Sequence, residues 1–239
     1  LRDAQERRRA VSRVAVVGAG SWGTTLADLL AAKGDDVVLW AHEPEVAEDV
    51  NRRHRNDLFL PDAPLHPSLT ATTDLLWAVR GAELIVSAAP SHAVRAVMAK
   101  AAGSVGPSAL VVSASKGLEA DEHRRMTEVL AEVLPTGVGI VALSGPTFAR
   151  EVYERQPTAA AVAAMDADVA RRAQVALSAP HFRVYTNGDV IGVELGGAIK
   201  NVILLTDGEG GVFYPDATYP PAACRPFGSF SGGCDNGTQ

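Results

Sequence analysis

Short apolar runs alternate with amphipathic stretches along most of the chain. The runs are rich in Val, Ile and Leu and nearly continuous, which is typical of parallel strands covered on both faces. Their alternation with helical patterns predicts a doubly wound α/β fold with a mostly parallel sheet. The predicted strands cover residues 13–17, 37–40, 84–88, 109–114, 140–143, 158–164 and 182–185. The predicted helices cover residues 24–33, 93–102, 122–134 and 166–177, the last with Asp166 as its N-cap.

Two changes of pattern divide the chain. From Asp189 a new helical pattern begins, and beyond Thr206 the sequence becomes rich in Gly, Pro, Ser and aromatic residues with no period. A segment of that composition buries little apolar surface, so we expect loop or disorder there. The sequence therefore predicts an α/β domain over residues 12–188, a single helix over 189–205 and an unpatterned tail over 206–239.

Composition and charge narrow the classes of function. The 239 residues are 47% hydrophobic with a net charge of −6, and this mild acidity argues against a nucleic-acid-binding surface. No apolar stretch reaches the roughly 18–20 residues that a membrane span requires. Both cysteines, Cys224 and Cys234, lie in the tail. The body thus has no disulfide framework, which predicts a cytoplasmic location.

The first candidate site is a glycine-rich turn between the first predicted strand and the first predicted helix. It reads Gly18-Ala19-Gly20-Ser21-Trp22-Gly23. In a dinucleotide-binding turn, Gly18 would permit the tight bend, Gly20 the close approach of a pyrophosphate, and Gly23 the packing of helix on strand. The helix N-terminus would offer N–H groups to the phosphates. A glycine turn in an unrelated βαβ unit is the alternative, and the strand–helix context favours dinucleotide binding.

The end of the second predicted strand bears on the choice between NAD and NADP. Sites that prefer NAD usually place an acidic residue there to hold the ribose hydroxyls, and the strand's last residue here is Trp40. His42 could face a 2′-phosphate, and Glu43 could face a ribose. A surface histidine without a role fits equally well, so the choice between NAD and NADP stays open.

Two further strand ends carry residues suited to an anionic ligand. Lys116 follows the fourth predicted strand, and Gly145 and Thr147 follow the fifth. Ligands of doubly wound folds bind outside the carboxyl ends of the strands, where a lysine acts as a point charge and a hydroxyl can donate. A solvated lysine and an ordinary turn are the alternatives.

The last candidate site lies in the helical pattern that begins near Asp189. It reads GVELGGAIKN over residues 192–201, and each of its three glycines costs a helix roughly 1 kcal/mol relative to Ala. That cost indicates a close approach of backbone or ligand. Lys200, with Asn201 beside it, could accept a hydroxyl proton if desolvation lowered its pKa. A surface lysine is the alternative.

Taken in order, these segments resemble the bacterial-type NAD(P)-dependent glycerol-3-phosphate dehydrogenase family. The matching stretches are GAGSWGTTLA (18–27), HRNDLFLP (54–61), PSHAVR (90–95), SKGLE (115–119), SGPTFAREV (144–152) and YTNGDVIGVELGGAIKNV (185–202). The resemblance implies a Rossmann-like fold. It also implies an oxidoreductase that interconverts sn-glycerol 3-phosphate and dihydroxyacetone phosphate with NAD or NADP, in support of phospholipid synthesis.

The resemblance also implies roles for individual residues, and none of them binds a metal. It makes Ser21, Trp22 and Ala149 cofactor contacts, and it places His42 near the adenosine ribose. Lys116 would contact both cofactor and substrate, and Gly145 and Thr147 would contact the substrate. Lys200 would be the catalytic proton acceptor, with Asn201 next to it in the substrate site.

The resemblance stops soon after Asn201, where the family continues into a helical C-terminal domain. The chain instead enters its Pro- and Gly-rich tail, so we expect only the start of that domain, as after a truncation or a frameshift. One alternative function is therefore an inactive dinucleotide-binding fragment. Another is a β-hydroxyacid dehydrogenase, but that class has Asn four residues after the lysine, where this chain has Leu204. Whether the protein forms a homodimer is left open.

Overall fold

The computed structural model describes residues 12–120 and 122–198. Its strands are β1 (Arg13–Val17), β2 (Asp36–Trp40), β3 (Thr70–Thr72), β4 (Leu84–Ser87), β5 (Leu110–Ser113), β6 (Gly139–Ser144), β7 (Thr158–Ala163) and β8 (Phe182–Asn187). Its helices are α1 (Ser21–Ala32), α2 (Pro44–Arg53), α3 (Leu75–Val79), α4 (Ser91–Ala101), α5 (Met126–Val133), α6 (Ala149–Tyr153), α7 (Ala167–Leu177) and α8 (Val190–Ala198).

The strands form one sheet in the order β3-β2-β1-β4-β5-β6-β7-β8. Neighbouring strands of this sheet are parallel except for β6 and β7, which are antiparallel. The strand order reverses between β1 and β4, and in open α/β sheets this switch point is where ligands bind. The predicted doubly wound, mostly parallel fold is confirmed.

Helices cover both faces of the sheet. Alternate residues of β1 belong to different buried clusters, because successive side chains of a strand point to opposite faces. Val14 and Val16 share one cluster with Leu26 and Leu30 of α1, whereas Ala15 and Val17 share the other with Met98 of α4 and Leu130 of α5. This burial on both faces explains why the strands are continuously apolar in sequence.

Four elements were not predicted from the sequence. They are α2, β3, α3 and α6. The first, α2, is mostly polar and buries only Val46, Ala47 and Val50, while the other three are three to five residues long. Elements this short or this exposed leave too few apolar positions for a period to be visible.

One predicted helix begins later than expected, and one predicted cap is confirmed. Helix α5 begins at Met126 rather than at residue 122, because the Glu128 side chain accepts the backbone N–H of Arg125 at 2.9 Å and so fixes the first turn. Asp166 caps α7 as predicted, since its side chain accepts a hydrogen bond of 2.7 Å from the backbone N–H of Asp168.

Helix α8 packs against β6 and β7, which places it on the sheet. The remainder of the predicted 189–205 helix and the 206–239 tail, with Cys224 and Cys234, lie outside the described residues. The division of the chain at residues 188 and 205 therefore stays a prediction. Among the helices that the structure describes, none is both long and apolar enough to cross a bilayer.

Candidate functional site

The three glycines of the turn after β1 have different surroundings. A Cβ at Gly18 would lie 2.7 Å from the backbone nitrogen of Ala89, and one at Gly23 would lie 1.9 Å from the carbonyl oxygen of Gly18. Gly18 also has a φ of +117°, a conformation that side chains disfavour. A Cβ at Gly20 would meet no atom of the described residues within 4 Å. Packing therefore requires Gly18 and Gly23, while Gly20 leaves open space.

Helix α1 begins at this open position. Gly20 is its N-cap, no side chain caps the helix, and its first turn holds no acidic residue. The first N–H groups of a helix have no partner within the helix, and the positive end of the helix dipole lies there. The turn thus presents an uncapped helix N-terminus that suits an anion such as a phosphate.

A cavity of about 700 Å³ opens over this turn, at the carboxyl ends of the central strands. The predicted site residues that line it are Gly18, Gly20, Ser21, Trp22, Gly23, His42, Lys116, Thr147 and Ala149. They come from the segments that follow β1, β2, β5 and β6. The fold therefore brings together residues that lie as many as 131 positions apart, as from Gly18 to Ala149.

Lys116 joins two of the predicted segments inside the cavity. Its Nζ lies 3.3 Å from Thr147 Oγ1 and 3.4 Å from the carbonyl oxygen of Gly145, and it lies 5.9 Å from the centre of the Trp22 ring. The lysine is partly buried, so water screens its charge less than at the surface. Its electrostatic interactions with the polar groups around it are correspondingly stronger. Gly145, which does not line the cavity itself, is thereby placed beside the lysine.

The loop that carries Lys116 is anchored by an ion pair. Arg95 of α4 donates two hydrogen bonds to the carboxylate of Glu119, from Nε at 2.6 Å and from Nη2 at 2.8 Å. The same guanidinium lies 2.8 Å from Glu132 of α5. Hydrogen bonding from Arg95 lowers the pKa of Glu119, so the pair stays charged across the neutral range. This fork fixes the far end of the lysine loop.

The three glycines of α8 also differ in what a Cβ at each position would contact. A Cβ at Gly197 would lie 2.3 Å from Ser144 Oγ, at the end of β6, so the helix touches the strand that leads into Gly145. A Cβ at Gly192 would lie 2.2 Å from Asp189 Oδ2, since Asp189 turns back to accept the N–H of Gly192. Gly196 meets no described atom within 4 Å. Two of the three glycines are thus explained by close packing.

Glu194 ties α8 to the beginning of α5, which sequence reasoning missed. Its carboxylate is largely buried and accepts from Arg125 Nη1 at 2.8 Å, from the Thr127 N–H at 2.8 Å and from Thr127 Oγ1 at 2.6 Å. The signal in the sequence was an acidic residue within an apolar, glycine-rich helix. Lys200 and Asn201, which follow this helix, lie outside the described residues.

The other end of the cavity is formed by the segments after β2 and α2. His42 is exposed, with its ring 6.2 Å from that of Trp40, and Glu43 is half-buried. Sequence reasoning did not identify Trp40, Phe59, His92 and Val97 as cavity residues. His92 follows the end of β4 within a few residues, so its position was visible in the pattern. Phe59 lies in an irregular loop, and only the fold brings it here.

Comparison with known proteins identifies the family that this chain resembles. Residues 13–170 match the model described as the NAD-dependent glycerol-3-phosphate dehydrogenase N-terminus. A glycerol-3-phosphate dehydrogenase (NAD(P)+) of Geobacter sp. (strain M21) is 50% identical over 198 residues, which are 82% of this chain and 59% of the relative. One from Thermobifida fusca is 48% identical over 200 residues, 83% of this chain and 60% of the relative.

A solved structure of a glycerol-3-phosphate dehydrogenase also matches this chain. The glycerol-3-phosphate dehydrogenase from Coxiella burnetii matches with a TM-score of 0.75 and 34% identity, over 81% of this chain and 59% of that one. The chain thus spans about three fifths of the length of the relatives it matches. By the extent of the family match and the identity to these relatives, the chain belongs to the NAD-dependent glycerol-3-phosphate dehydrogenase family.

Proposed function

We propose that this protein is an oxidoreductase that interconverts sn-glycerol 3-phosphate and dihydroxyacetone phosphate with NAD(H) or NADP(H), and so supplies the backbone of phospholipids. The observation that carries the proposal is one cavity that holds both an uncapped helix N-terminus at Gly20 and the Lys116–Thr147 pair. The first suits the pyrophosphate of a dinucleotide, and the second suits a small phosphorylated substrate. The names of the relatives give the reaction.

The residues present fit a nicotinamide dinucleotide. The space above Gly20, where a Cβ would meet none of the described atoms, leaves room for phosphate oxygens to reach the N–H groups of the turn. Ser21, Trp22 and Ala149 would hold the cofactor around this point, and Thr25 fixes Ala149 by donating to its carbonyl at 3.2 Å. When bound, the cofactor supplies or accepts a hydride. His42 or Glu43 would meet the adenosine ribose of NAD or NADP.

The chain's own residues would hold the substrate and move its proton. Lys116 would contact cofactor and substrate as a point charge, with Gly145 and Thr147 orienting the substrate beside it. In the oxidising direction Lys200 would take the proton of the substrate's C2 hydroxyl, and in the reducing direction it would return that proton. Asn201 would bind the substrate next to Lys200. This assignment assumes a neutral Lys200, which desolvation favours.

The domain division belongs to the same proposal. Residues 12–188 would form the dinucleotide-binding domain, and residues 189–205 the first helix of the substrate domain, followed by the tail. Residues 12–188 contain no cysteine, which supports a cytoplasmic location. The partner is a small phosphorylated molecule, and a homodimer is the assembly to test by sedimentation.

Titration of the purified protein with NADH and NADPH, combined with an assay of dihydroxyacetone phosphate reduction, tests the proposal. We expect saturable binding, and turnover that falls at least ~100-fold in Lys200→Ala while NADH still binds. Lys100→Ala, which removes an exposed lysine of α4, is the matched control and should keep full activity. Absence of binding overturns the proposal, and full activity of Lys200→Ala overturns the role of that lysine. Binding without turnover selects the inactive fragment instead.

Lys116→Met tests the substrate site separately, because methionine keeps most of the stem and removes the charge. Charge-assisted hydrogen bonds contribute about 1.5–3 kcal/mol, so the affinity for glycerol 3-phosphate should fall roughly 10- to 100-fold. Calorimetric titration in the presence of NAD measures this loss, again against a Lys100 substitution. An unchanged affinity would remove Lys116 from the substrate site.

A further inference from the structure

A fully buried asparagine lies directly behind the glycine turn. Asn56, in the loop after α2, has no exposed surface, and its Nδ2 donates to the Ala19 carbonyl at 2.8 Å and to Thr24 Oγ1 at 2.7 Å. Thr24, equally buried, donates to the same carbonyl at 3.1 Å. One backbone carbonyl of the turn thus accepts two side-chain hydrogen bonds, and the two donors are bonded to each other.

These bonds fix the direction of a peptide group that faces the cavity. The peptide between Ala19 and Gly20 is trans, like the others in the described residues, so its C=O and N–H point in opposite directions. The carbonyl points away from the cavity into the buried Asn56–Thr24 pair. The Gly20 N–H therefore points away from that buried pair, and Gly20 itself lines the cavity.

Asn56 also reaches a second wall of the cavity. Its Oδ1 accepts the backbone N–H of Phe59 at 3.3 Å, and Phe59 also lines the cavity. The two hydrogens on Nδ2 bond to the Ala19 carbonyl and to Thr24 Oγ1, and Oδ1 accepts the N–H of Phe59. The side chain is thereby satisfied on both sides, as a buried amide requires.

We propose that Asn56 is a positioning residue for dinucleotide binding, which holds the Ala19–Gly20 peptide so that the Gly20 N–H is directed at the cofactor pyrophosphate. Without Asn56, the Ala19 carbonyl would lose its shorter hydrogen bond, and the peptide would be free to rotate the N–H away from the phosphate. The proposal rests on the proposed function, because it assumes that a dinucleotide occupies the cavity.

A second asparagine provides a matched control. Asn51 in α2 makes two hydrogen bonds to Ala71 of β3, donating to its carbonyl at 2.9 Å and accepting its N–H at 2.8 Å. Asn51 thus clamps a backbone segment as Asn56 does, but it does not line the cavity or contact the glycine turn. Its loss should lower stability without changing ligand affinity.

Two probes separate positioning from a general loss of structure. ADP-ribose carries the pyrophosphate, and adenosine carries no phosphate. In Asn56→Ala, the affinity for ADP-ribose should fall on the order of tenfold, while the affinity for adenosine, measured by ligand-observed NMR, should change less than about twofold. In Asn51→Ala both affinities should equal those of the wild type.

A second pair of variants keeps the test valid if Asn56→Ala does not fold. Thr24→Val removes the hydroxyl with little change of shape and should weaken ADP-ribose selectively, whereas Thr24→Ser keeps the hydroxyl and should retain the wild-type affinity. Equal losses for ADP-ribose and adenosine in Asn56→Ala or in Thr24→Val, or no loss of ADP-ribose affinity in whichever of these two variants folds, overturn the role of Asn56. A wild-type chain that does not bind ADP-ribose overturns the proposed function instead.

Discussion

Among single residues, Asp28 of α1 shows burial and hydrogen bonding acting in opposite directions on one carboxyl group. Burial raises the pKa of Asp28, while the backbone N–H of His66, which donates to it at 2.6 Å, and the electrostatic attraction to His66 and Arg155 lower it. Burial has the largest effect, so the net pKa lies above its usual value. The charged form is therefore less favourable in the folded chain than in the unfolded one.

Replacement of this carboxyl by an amide gives a pH-dependent prediction. Because the folded pKa is raised, the wild type loses stability as the pH rises through that pKa, and Asp28→Asn does not. Asn keeps an oxygen to accept the His66 N–H. We expect Asp28→Asn to be more stable than the wild type at pH 7, with a difference that disappears at acidic pH. Thermal unfolding from pH 4 to pH 8 measures it, with the exposed Asp62→Asn as a control of equal charge change.

A difference that stayed constant with pH would show that the ionisation of Asp28 is not its cause. The opposite sign at pH 7 would show that the hydrogen bond from His66 needs a full negative charge.

At this scale the sequence indicated part of the candidate site. Gly18, Lys116 and Thr147 follow the ends of apolar strands, and their position in the pattern placed them at one edge of the sheet. Neither Asn56 nor Glu194 follows the end of a predicted strand, so this pattern did not place them in the site. The partners of Glu194 lie 67 and 69 positions earlier in the chain, and pairings over that distance exist only once the helices are packed.

At the scale of elements, the strands were predictable because burial on both faces leaves an uninterrupted apolar run in the sequence. The edge strand β3 has the sequence Thr-Ala-Thr and, within residues 12–120 and 122–198, pairs only with β2, so it lacks that run. The antiparallel direction of β7 was also not predictable. It follows from how the chain returns through α6, which is five residues long and fully buries only Val152 among its own residues.

The glycines of α8 give a prediction for this element. Gly197→Ala brings a Cβ to within 2.3 Å of Ser144 Oγ, so the Ser144 side chain must rotate or the helix and strand must move apart, at a cost of about 1–3 kcal/mol. Gly196→Ala meets no described atom within 4 Å and should stabilise the helix by up to ~1 kcal/mol. Urea unfolding of the two variants measures both signs.

A further variant checks the cause of the Gly197 effect. Ser144→Ala removes the oxygen that the new Cβ would meet, so the double variant should recover part of the loss. If Gly197→Ala were as stable as Gly196→Ala, the contact between α8 and the end of β6 would not have the assigned closeness.

At the scale of the whole molecule, the switch in strand order concentrates ligand-binding segments at the carboxyl ends of the neighbouring strands β1 and β4. The cavity is lined from the carboxyl ends of strands on both sides of the switch, while the two large buried clusters lie on the two faces of the sheet. A ligand there contacts several otherwise separate loops. Binding should therefore stabilise the folded sheet as a unit rather than one loop.

A substitution at Gly20 distinguishes the stabilisation by bound ligand from the stability of the fold itself. The Gly20 backbone has a φ of −64° and a ψ of 176°, which valine adopts without strain, and a Cβ would meet nothing within 4 Å among the described residues. Gly20→Val should therefore fold with nearly wild-type stability while its side chain occupies the space proposed for the pyrophosphate. At about 100 times the dissociation constant, NADH should stabilise the wild type by roughly 2.7 kcal/mol, a rise in Tm of about 5–11 °C. Gly20→Val should show no rise at the same NADH concentration.

Gly23→Ala is the contrasting variant in the same turn, because its Cβ would lie 1.9 Å from the Gly18 carbonyl and the loss should appear without any ligand. Thermal unfolding of the three proteins with and without NADH gives both quantities. If Gly20→Val kept the full NADH-dependent rise, the pyrophosphate could not lie above Gly20. If Gly20→Val unfolded as readily as Gly23→Ala, folding itself would require the absence of a side chain at Gly20. The distinction between Gly20 and the two glycines required by packing would then be wrong.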